Sequence, residues 1–258
     1  EIDQIANQTL PATFENTLLA LEISGELLNQ TASVFFNLSS SHTSPEIQEI
    51  ERVMAPRLAA HSAALFLNGP LFQRIEKIYA DRNSLGLDAE SIRLVERYHL
   101  DFVRAGAKLK DQDRVVFAKN TERLASLFTA FSQNVLADEA SFSLLLTQED
   151  ELKGLPEFVR SAAQKMAKDR GMTEANAHVI TLSRSSLTPF MTFSERRDLR
   201  QTLWTAWCQR GENEGAYNND QNMREILALR LAQAQLLGYK DFSEYALADT
   251  MAGSAKAA

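Results

Sequence analysis

Residues 223–252 read MREILALRLAQAQLLGYKDFSEYALADTMA, a pattern typical of two helices joined at a glycine. Gly238 stands where a left-handed residue commonly ends a helix, so it predicts the C-terminus of a helix over residues 222–237. Asp241 and Glu244 have the spacing of a capping box and predict the start of the next helix. The stretch therefore predicts a helical fold with well-defined helix ends.

The same periodicity recurs along the chain. Apolar residues at helical spacing predict further helices over residues 13–29, 30–40, 44–67, 71–82, 88–106, 111–137, 156–170 and 194–210. We expect Gly25, inside the first of these, to mark the close approach of a neighbouring helix. Pro56 should bend or split the third helix. Apolar runs over residues 142–147 and 177–183 predict two short strands.

These patterns predict a mostly α fold with a small β insert around residues 141–183. We expect one helical lobe over residues 1–258. Within it, helices over residues 13–140 precede a small α/β insert over residues 141–192, and helices over residues 194–250 follow. No repeat of fixed period is present, which argues against a solenoid.

Composition narrows the function. The 258 residues are 45% hydrophobic and 24% charged, with a net charge of −7. An acidic chain of this kind is unsuited to general binding of nucleic acid or of anionic membranes. No apolar run reaches the ~20 residues that cross a bilayer. We therefore predict no nucleic-acid partner and no membrane partner.

The residues that could carry chemistry are few. The histidines are His42, His61, His99 and His178, and none lies in an HExxH motif, the spacing that lets one helix face hold zinc. His99 falls on an apolar stripe and is predicted to be a hydrogen-bonded core histidine. Cys208, the single cysteine, lies beside two tryptophans and is predicted to be a buried structural thiol. Phosphate-binding glycine motifs and a nucleophile elbow are missing too.

Several longer stretches carry a resemblance to a known family. They are residues 13–25 (TFENTLLALEISG), 84–110 (SLGLDAESIRLVERYHLDFVRAGAKLK) and 225–252. In this order they resemble the N-terminal half of the thimet-oligopeptidase family of zinc metallopeptidases. Among its members, the bacterial peptidyl-dipeptidases, which release dipeptides from the C-termini of peptides, have the most similar version of these stretches.

The resemblance implies a two-lobed cytoplasmic peptidase. In that family zinc is held by an HExxH helix and a further glutamate, all in the C-terminal half, and no position of this chain matches them. The resemblance thus implies zinc in the intact enzyme but no catalytic, cofactor-binding or metal-binding residue here. It also implies a non-catalytic lobe that lines a channel for short unfolded peptides, with the protein's own C-terminal half as partner.

Both ends of the sequence fit a part of a longer chain. Ile2 and Ile5 recur at helical spacing, which is typical of the last turn of a helix. Residues 254–258 resemble an N-cap and the start of another helix, and the alternative is a flexible tail. Two alternatives stay open: a stand-alone helical module that binds peptides or a protein, and an unrelated helical enzyme with a dispersed carboxylate site.

Overall fold

Helices account for most of this computed structural model, which describes residues 1–258. In chain order the regular elements are α1 (Ile2–Asn7), α2 (Ala20–Glu22), α3 (Glu26–Ser41), α4 (Pro45–Phe66), α5 (Gly69–Asp81), α6 (Ala89–Arg104), α7 (Asp111–Ser141), β1 (Leu144–Leu146), α8 (Glu157–Asp169), β2 (His178–Ile180), α9 (Arg184–Phe193), α10 (Arg197–Cys208), α11 (Asp220–Leu236) and α12 (Phe242–Leu247). The mostly α fold with a small β insert is therefore confirmed.

The chain divides into two units. The first unit comprises Glu1–Thr129 and Glu225–Ala258, and the second comprises Ala130–Arg224. Helices α7 and α11 thus contribute residues to both units. The predicted segments of a single lobe over residues 1–258 stay a prediction.

After α1, the first unit continues with a capped π-helical turn over Phe14–Leu19 that leads into α2. The Asn16 amide donates to Thr13 Oγ1 at 3.2 Å, and the Thr13 amide donates to Asn16 Oδ1 at 2.9 Å. The predicted single helix over residues 13–29 is wrong, because the chain turns at Gly25 before α3 begins.

Gly25 has a role other than the expected close approach. Its φ of 71° lies in the left-handed region, and no atom lies within 4 Å of the position a Cβ would take. Glycine therefore serves the backbone turn at the start of α3. Pro56 does not split its helix, since α4 continues from Pro45 to Phe66 without interruption, and the alternative expectation of a bend stays a prediction.

The core of the first unit lies between α1, the π-helical turn, α5 and α6. Each of these elements presents one apolar stripe, and a fully buried side chain of this kind stabilises the fold by roughly 1.5–3 kcal/mol. The buried residues are Ile5, Ala6, Leu18, Leu21, Leu71, Phe72, Ile75, Ile78, Val95, Phe102 and Ala107. A smaller apolar cluster joins α7 to α11 through Leu124, Leu127 and Ile226.

Arg74 of α5 fixes the segment before the π-helical turn. Its guanidinium donates to the carbonyl of Leu10 at 2.9 Å, to Asn16 Oδ1 at 2.8 Å and to Thr17 Oγ1 at 3.2 Å. These acceptors include a fully buried hydroxyl, which would otherwise lack a partner from another helix. One side chain thus attaches residues 10–17 to α5.

Helix α3 differs from its neighbours because none of its residues is buried. Leu27, Val34 and Leu38 are exposed by 78%, 63% and 45%, respectively, and their spacing places them on one face. An apolar helix face of this kind on a protein surface is typical of a region that contacts another polypeptide.

The core of the second unit forms around the small sheet. Strands β1 and β2 pair antiparallel, with Leu144 opposite Ile180 and Leu146 opposite His178. Helices α8, α9 and α10 bury their apolar faces together with it. The buried residues are Leu146, Leu152, Leu155, Val159, Ala163, Ile180, Leu182, Leu187, Phe190 and Leu203.

Gly154 allows two backbone segments of the second unit to meet. Its φ is 78°, and a Cβ built on it would lie 2.3 Å from the carbonyl oxygen of Phe193. The neighbouring Lys153 carbonyl accepts a hydrogen bond from the Glu195 amide at 3.0 Å. No other residue type fits at position 154 unless the backbone moves.

His99 of α6 lies in a column of rings in the first unit. Its ring stacks on Tyr79 at 3.8 Å and on Phe72 at 5.7 Å between centroids. Arg82 covers the Tyr79 ring and Lys108 lies over the Phe72 ring. Burial, followed by the charge of Lys108, lowers the pKa of His99 below its usual value of 6.5. The contacts that define its position are aromatic stacks.

The end of α11 is formed as the sequence predicts. Gly238 has a φ of 85°, and the Tyr239 amide donates to the carbonyl of Ala234 at 2.9 Å. Asp241 Oδ1 accepts from the Glu244 amide at 2.9 Å and caps α12. The Glu244 carboxylate accepts from the Lys240 amide at 2.7 Å, one residue before the cap.

Replacing Gly154 with alanine should destabilise the protein far more than the same change at Gly171. Both residues have positive φ, but a Cβ at Gly171 would meet no atom within 4 Å. We expect Gly171→Ala to cost about 1 kcal/mol and Gly154→Ala to cost roughly 1–3 kcal/mol more, because the backbone near Phe193 must move. Urea unfolding measures both, and equal losses would contradict the close approach.

His99 should make the free energy of unfolding depend on pH. Because its folded-state pKa lies below 6.5, the unfolded chain takes up a proton first as the pH falls through this value. The stability present above pH 6.5 is then lost as the pH falls towards the lower pKa of the folded state. His99→Phe keeps a ring in the column and should flatten this dependence, whereas the matched change of the exposed His42, His42→Gln, should retain it. Urea unfolding at several pH values decides, and an unchanged profile in His99→Phe would contradict the assignment.

Candidate functional site

The histidines lie on separate elements. His42 follows α3 and is exposed, and His61 is exposed on α4. His178 lies in β2, where its Nδ1 is 2.9 Å from the carbonyl oxygen of Asn176. His99 is occupied in the aromatic column of the first unit. The structure does not bring these side chains together.

Zinc, which the resemblance implies for the intact enzyme, does not fit the residues present. A catalytic zinc site needs three protein ligands that converge on one ion. No group of three or more His, Cys, Asp or Glu side chains in the chain could hold a metal ion. No step of a reaction is therefore assigned to a metal bound by these residues.

Cys208 is exposed, so its prediction as a buried thiol is wrong. The buried face of α10 is formed by Leu203, and Trp207 packs partly against the same core. The Arg210 guanidinium lies 3.3 Å from the centre of the Trp207 ring. Cys208 is the last residue of α10 and is not part of the apolar cluster around Leu203. The two tryptophans near Cys208 in sequence therefore do not predict whether its thiol is buried.

A cavity of about 1000 Å³ lies within the second unit. Its walls come from the end of α7, from one face of α10 and from the loop over residues 211–219. Thr202, Thr205 and Gln201 of α10 contribute hydroxyl and amide groups, and Tyr217 contributes an aromatic ring. Phe142 contributes a second ring, so the lining combines hydrogen-bonding groups with apolar surface and is suited to a ligand that has both characters.

Two buried polar side chains hold the loop that borders this cavity. Asp138 Oδ2 accepts from the Gly211 amide at 2.7 Å and from Asn213 Nδ2 at 2.8 Å. At the other end, the Asn219 amide donates to the Gly211 carbonyl at 2.7 Å, and its side chain donates to the Phe131 carbonyl at 3.0 Å. The loop is therefore fixed at both ends.

Residues 211–220 are polar, but no motif in the sequence marks them as a site. The acidic run GENEG within them predicts only that phosphate is repelled. The missing information was the partner of the loop, Asp138, which lies more than seventy positions earlier. A carboxylate near the end of a long predicted helix gives no signal of this contact in a single sequence.

The first unit contains a second cavity, of about 960 Å³. Glu22 of α2 and Tyr98 of α6 lie at its wall, and the Tyr98 hydroxyl donates to the Glu22 carboxylate. Burial, followed by this hydrogen bond, raises the pKa of Tyr98 above its usual range. Tyr98 thus acts as a neutral donor that holds α2 against α6.

The chain is similar to several known peptidases along its whole length. Dipeptidyl carboxypeptidase of Salmonella typhimurium is 34% identical over 258 residues, which cover 100% of this chain and 38% of that protein. The Escherichia coli protein of the same name is 35% identical with the same coverage. Oligopeptidase A of Haemophilus influenzae is 30% identical over 255 residues, which cover 37% of that protein.

A family model gives the same assignment for the end of the chain. Residues 190–258 match the model described as Peptidase family M3. No helix combines the length and the apolar character that crossing a membrane requires. The chain spans 38% of the length of the dipeptidyl carboxypeptidases that it matches. The whole chain is therefore similar to dipeptidyl carboxypeptidases and its residues 190–258 match the family M3 model, so the resemblance predicted from the sequence is confirmed.

Proposed function

We propose that this chain is the N-terminal helical lobe of a cytoplasmic zinc metallopeptidase that removes C-terminal dipeptides from short peptides. The observation that carries the proposal is the alignment of the whole chain with dipeptidyl carboxypeptidases, at 34% and 35% identity over 258 residues. The lobe would form one wall of the channel that admits unfolded peptides. Closure of such a channel over a peptide removes water from the reacting bond.

The catalytic groups would come from the remaining part of the protein. The aligned residues make up 38% of the relatives, so most of each relative lies outside the match. Within this chain, no side chains converge as a zinc ligand set would require. These observations support a lobe that binds and positions peptides while zinc and the general base lie elsewhere in the intact enzyme.

The exposed face of α3 supports a protein partner. Leu27 and Val34 are exposed by 78% and 63%, which is unusual for two large apolar side chains on one helix face. We propose that the partner is the protein's own C-terminal half. The same face would also suit the alternative, a stand-alone module that binds peptides or a protein. The reading frame after residue 258 separates the two, because the peptidase requires a downstream HExxH and the module does not.

The isolated chain should not hydrolyse peptides. An N-blocked peptide with a free C-terminus, incubated with the chain and zinc, should stay intact because the proposed zinc ligands are missing. Addition of the remaining polypeptide of the same gene should produce dipeptides, which mass spectrometry detects. Release of dipeptides by the chain alone, or no release after assembly, would defeat the proposal.

Charge introduced on the exposed face of α3 should weaken assembly without unfolding the chain. Val34→Asp places a carboxylate on the apolar face and should reduce the affinity for the remaining half by about tenfold or more. Ser33→Asp introduces the same charge at an exposed position off the stripe and serves as the matched control. Calorimetric titration with the remaining half measures both. Equal affinities would show that α3 is not the contact.

A further inference from the structure

The cavity of the second unit has an acidic lining with no cation. Asp138, Asp198 and Glu214 contribute carboxylates, and no lysine, arginine or histidine lies in its wall. Asp198 is exposed and already bound by Arg196, whose guanidinium nitrogen is 2.7 Å from the carboxylate. The charge of interest is therefore that of Asp138, which is only 9% exposed.

One oxygen of Asp138 is left for a ligand. Its Oδ2 accepts both hydrogen bonds from the loop, at 2.7 Å from Gly211 and 2.8 Å from Asn213. Its Oδ1 makes no hydrogen bond or ion pair within the protein, although the side chain lines the cavity. Arg210, a cation on the adjoining segment, is bound to Glu139 at 2.6 Å. A carboxylate oxygen that accepts from no group of the protein is available to a cation that enters the cavity.

The geometry favours one class of cation. A guanidinium prefers to bind both oxygens of a carboxylate in parallel, but Oδ2 is already occupied by two donors. A divalent metal ion needs several converging ligands, and no such group exists in the chain. A primary ammonium group needs one charged acceptor and neutral acceptors around it. Thr202, Thr205 and Gln201 in the same wall supply neutral oxygens.

We propose that this cavity binds the primary ammonium group of a peptide, with Asp138 as its counter-ion. The group comes from the peptide N-terminus or from a lysine side chain. The inference rests on the proposed peptide-binding role of the lobe. A volume of about 1000 Å³ leaves room for further residues of the peptide beyond the ammonium group. The acidic lining also disfavours an approaching peptide C-terminus, so it selects the direction in which the peptide enters.

Calorimetric titration with matched peptides tests the proposal. The probes are trialanine amide, its N-acetylated form, and N-acetyl-alanyl-lysyl-alanine amide. Trialanine amide or the lysine peptide should bind, whereas the N-acetylated trialanine should bind about tenfold more weakly or not at all, since it has no ammonium group. Trialanine amide has only the N-terminal ammonium group and the lysine peptide has only the side-chain ammonium group, so comparing these two probes identifies the source.

Asp138→Asn removes the charge and retains an oxygen that accepts from the loop. It should weaken binding of the ammonium probes by about tenfold or more. Asp169→Asn removes the same charge at an exposed position of the second unit that does not line the cavity, and should leave binding unchanged. If Asp138→Asn fails to fold, the comparison of free and acetylated peptides on the unaltered chain decides instead.

A structural readout accompanies the titration. Binding at Asp138 should shift the backbone amide resonance of Gly211 and the side-chain amide resonances of Asn213, because both donate to the same carboxylate. Absence of binding by every probe, equal binding of the acetylated peptide, or full binding by a folded Asp138→Asn variant would overturn the proposal. None of these measurements requires hydrolysis, so they are independent of whether the assembled protein is a peptidase.

Discussion

The second unit depends on a buried carboxylate whose two oxygens have different surroundings. One oxygen of Asp138 accepts from Gly211 and Asn213 and so fixes the polar loop. The other accepts from no group of the protein, and the Asp138 side chain lines the cavity that this loop borders. Without Asp138 the Gly211 amide would be buried with no acceptor, and the wall of the cavity would lose its anchor. The same interaction therefore shapes the cavity and gives it its charge.

The sequence predicted those helices and strands that are bounded by a characteristic residue, such as a capping side chain or a glycine, or that form a short apolar run. Gly238 and Asp241 end one helix and begin the next, and the apolar runs within residues 141–183 form the two strands. Predictions failed where a residue has more than one structural use. Gly25 supplies a left-handed turn instead of a close contact, and α4 continues through Pro56 without the split that a proline can cause. Only the tertiary surroundings distinguish these uses.

The candidate site was less accessible to sequence reasoning than the fold. Periodicity places His99 on an apolar stripe, but it says nothing of the Tyr79 and Phe72 rings that stack on it. Likewise, Asp138 is one carboxylate among many in an acidic chain, and its contact with Gly211 spans a long stretch of sequence. Such sites arise from residues distant in sequence, so a single chain without aligned relatives does not single them out.

We propose that this chain takes part in peptide binding and that hydrolysis requires polypeptide outside it. The most direct measurement is the zinc content of the purified chain after equilibration with zinc and removal of the free ion. Because no three ligands converge, we expect no stoichiometric zinc and no change in zinc content when His61 or His178 is replaced. Retention of one zinc ion per chain, lost on replacement of either histidine, would contradict it.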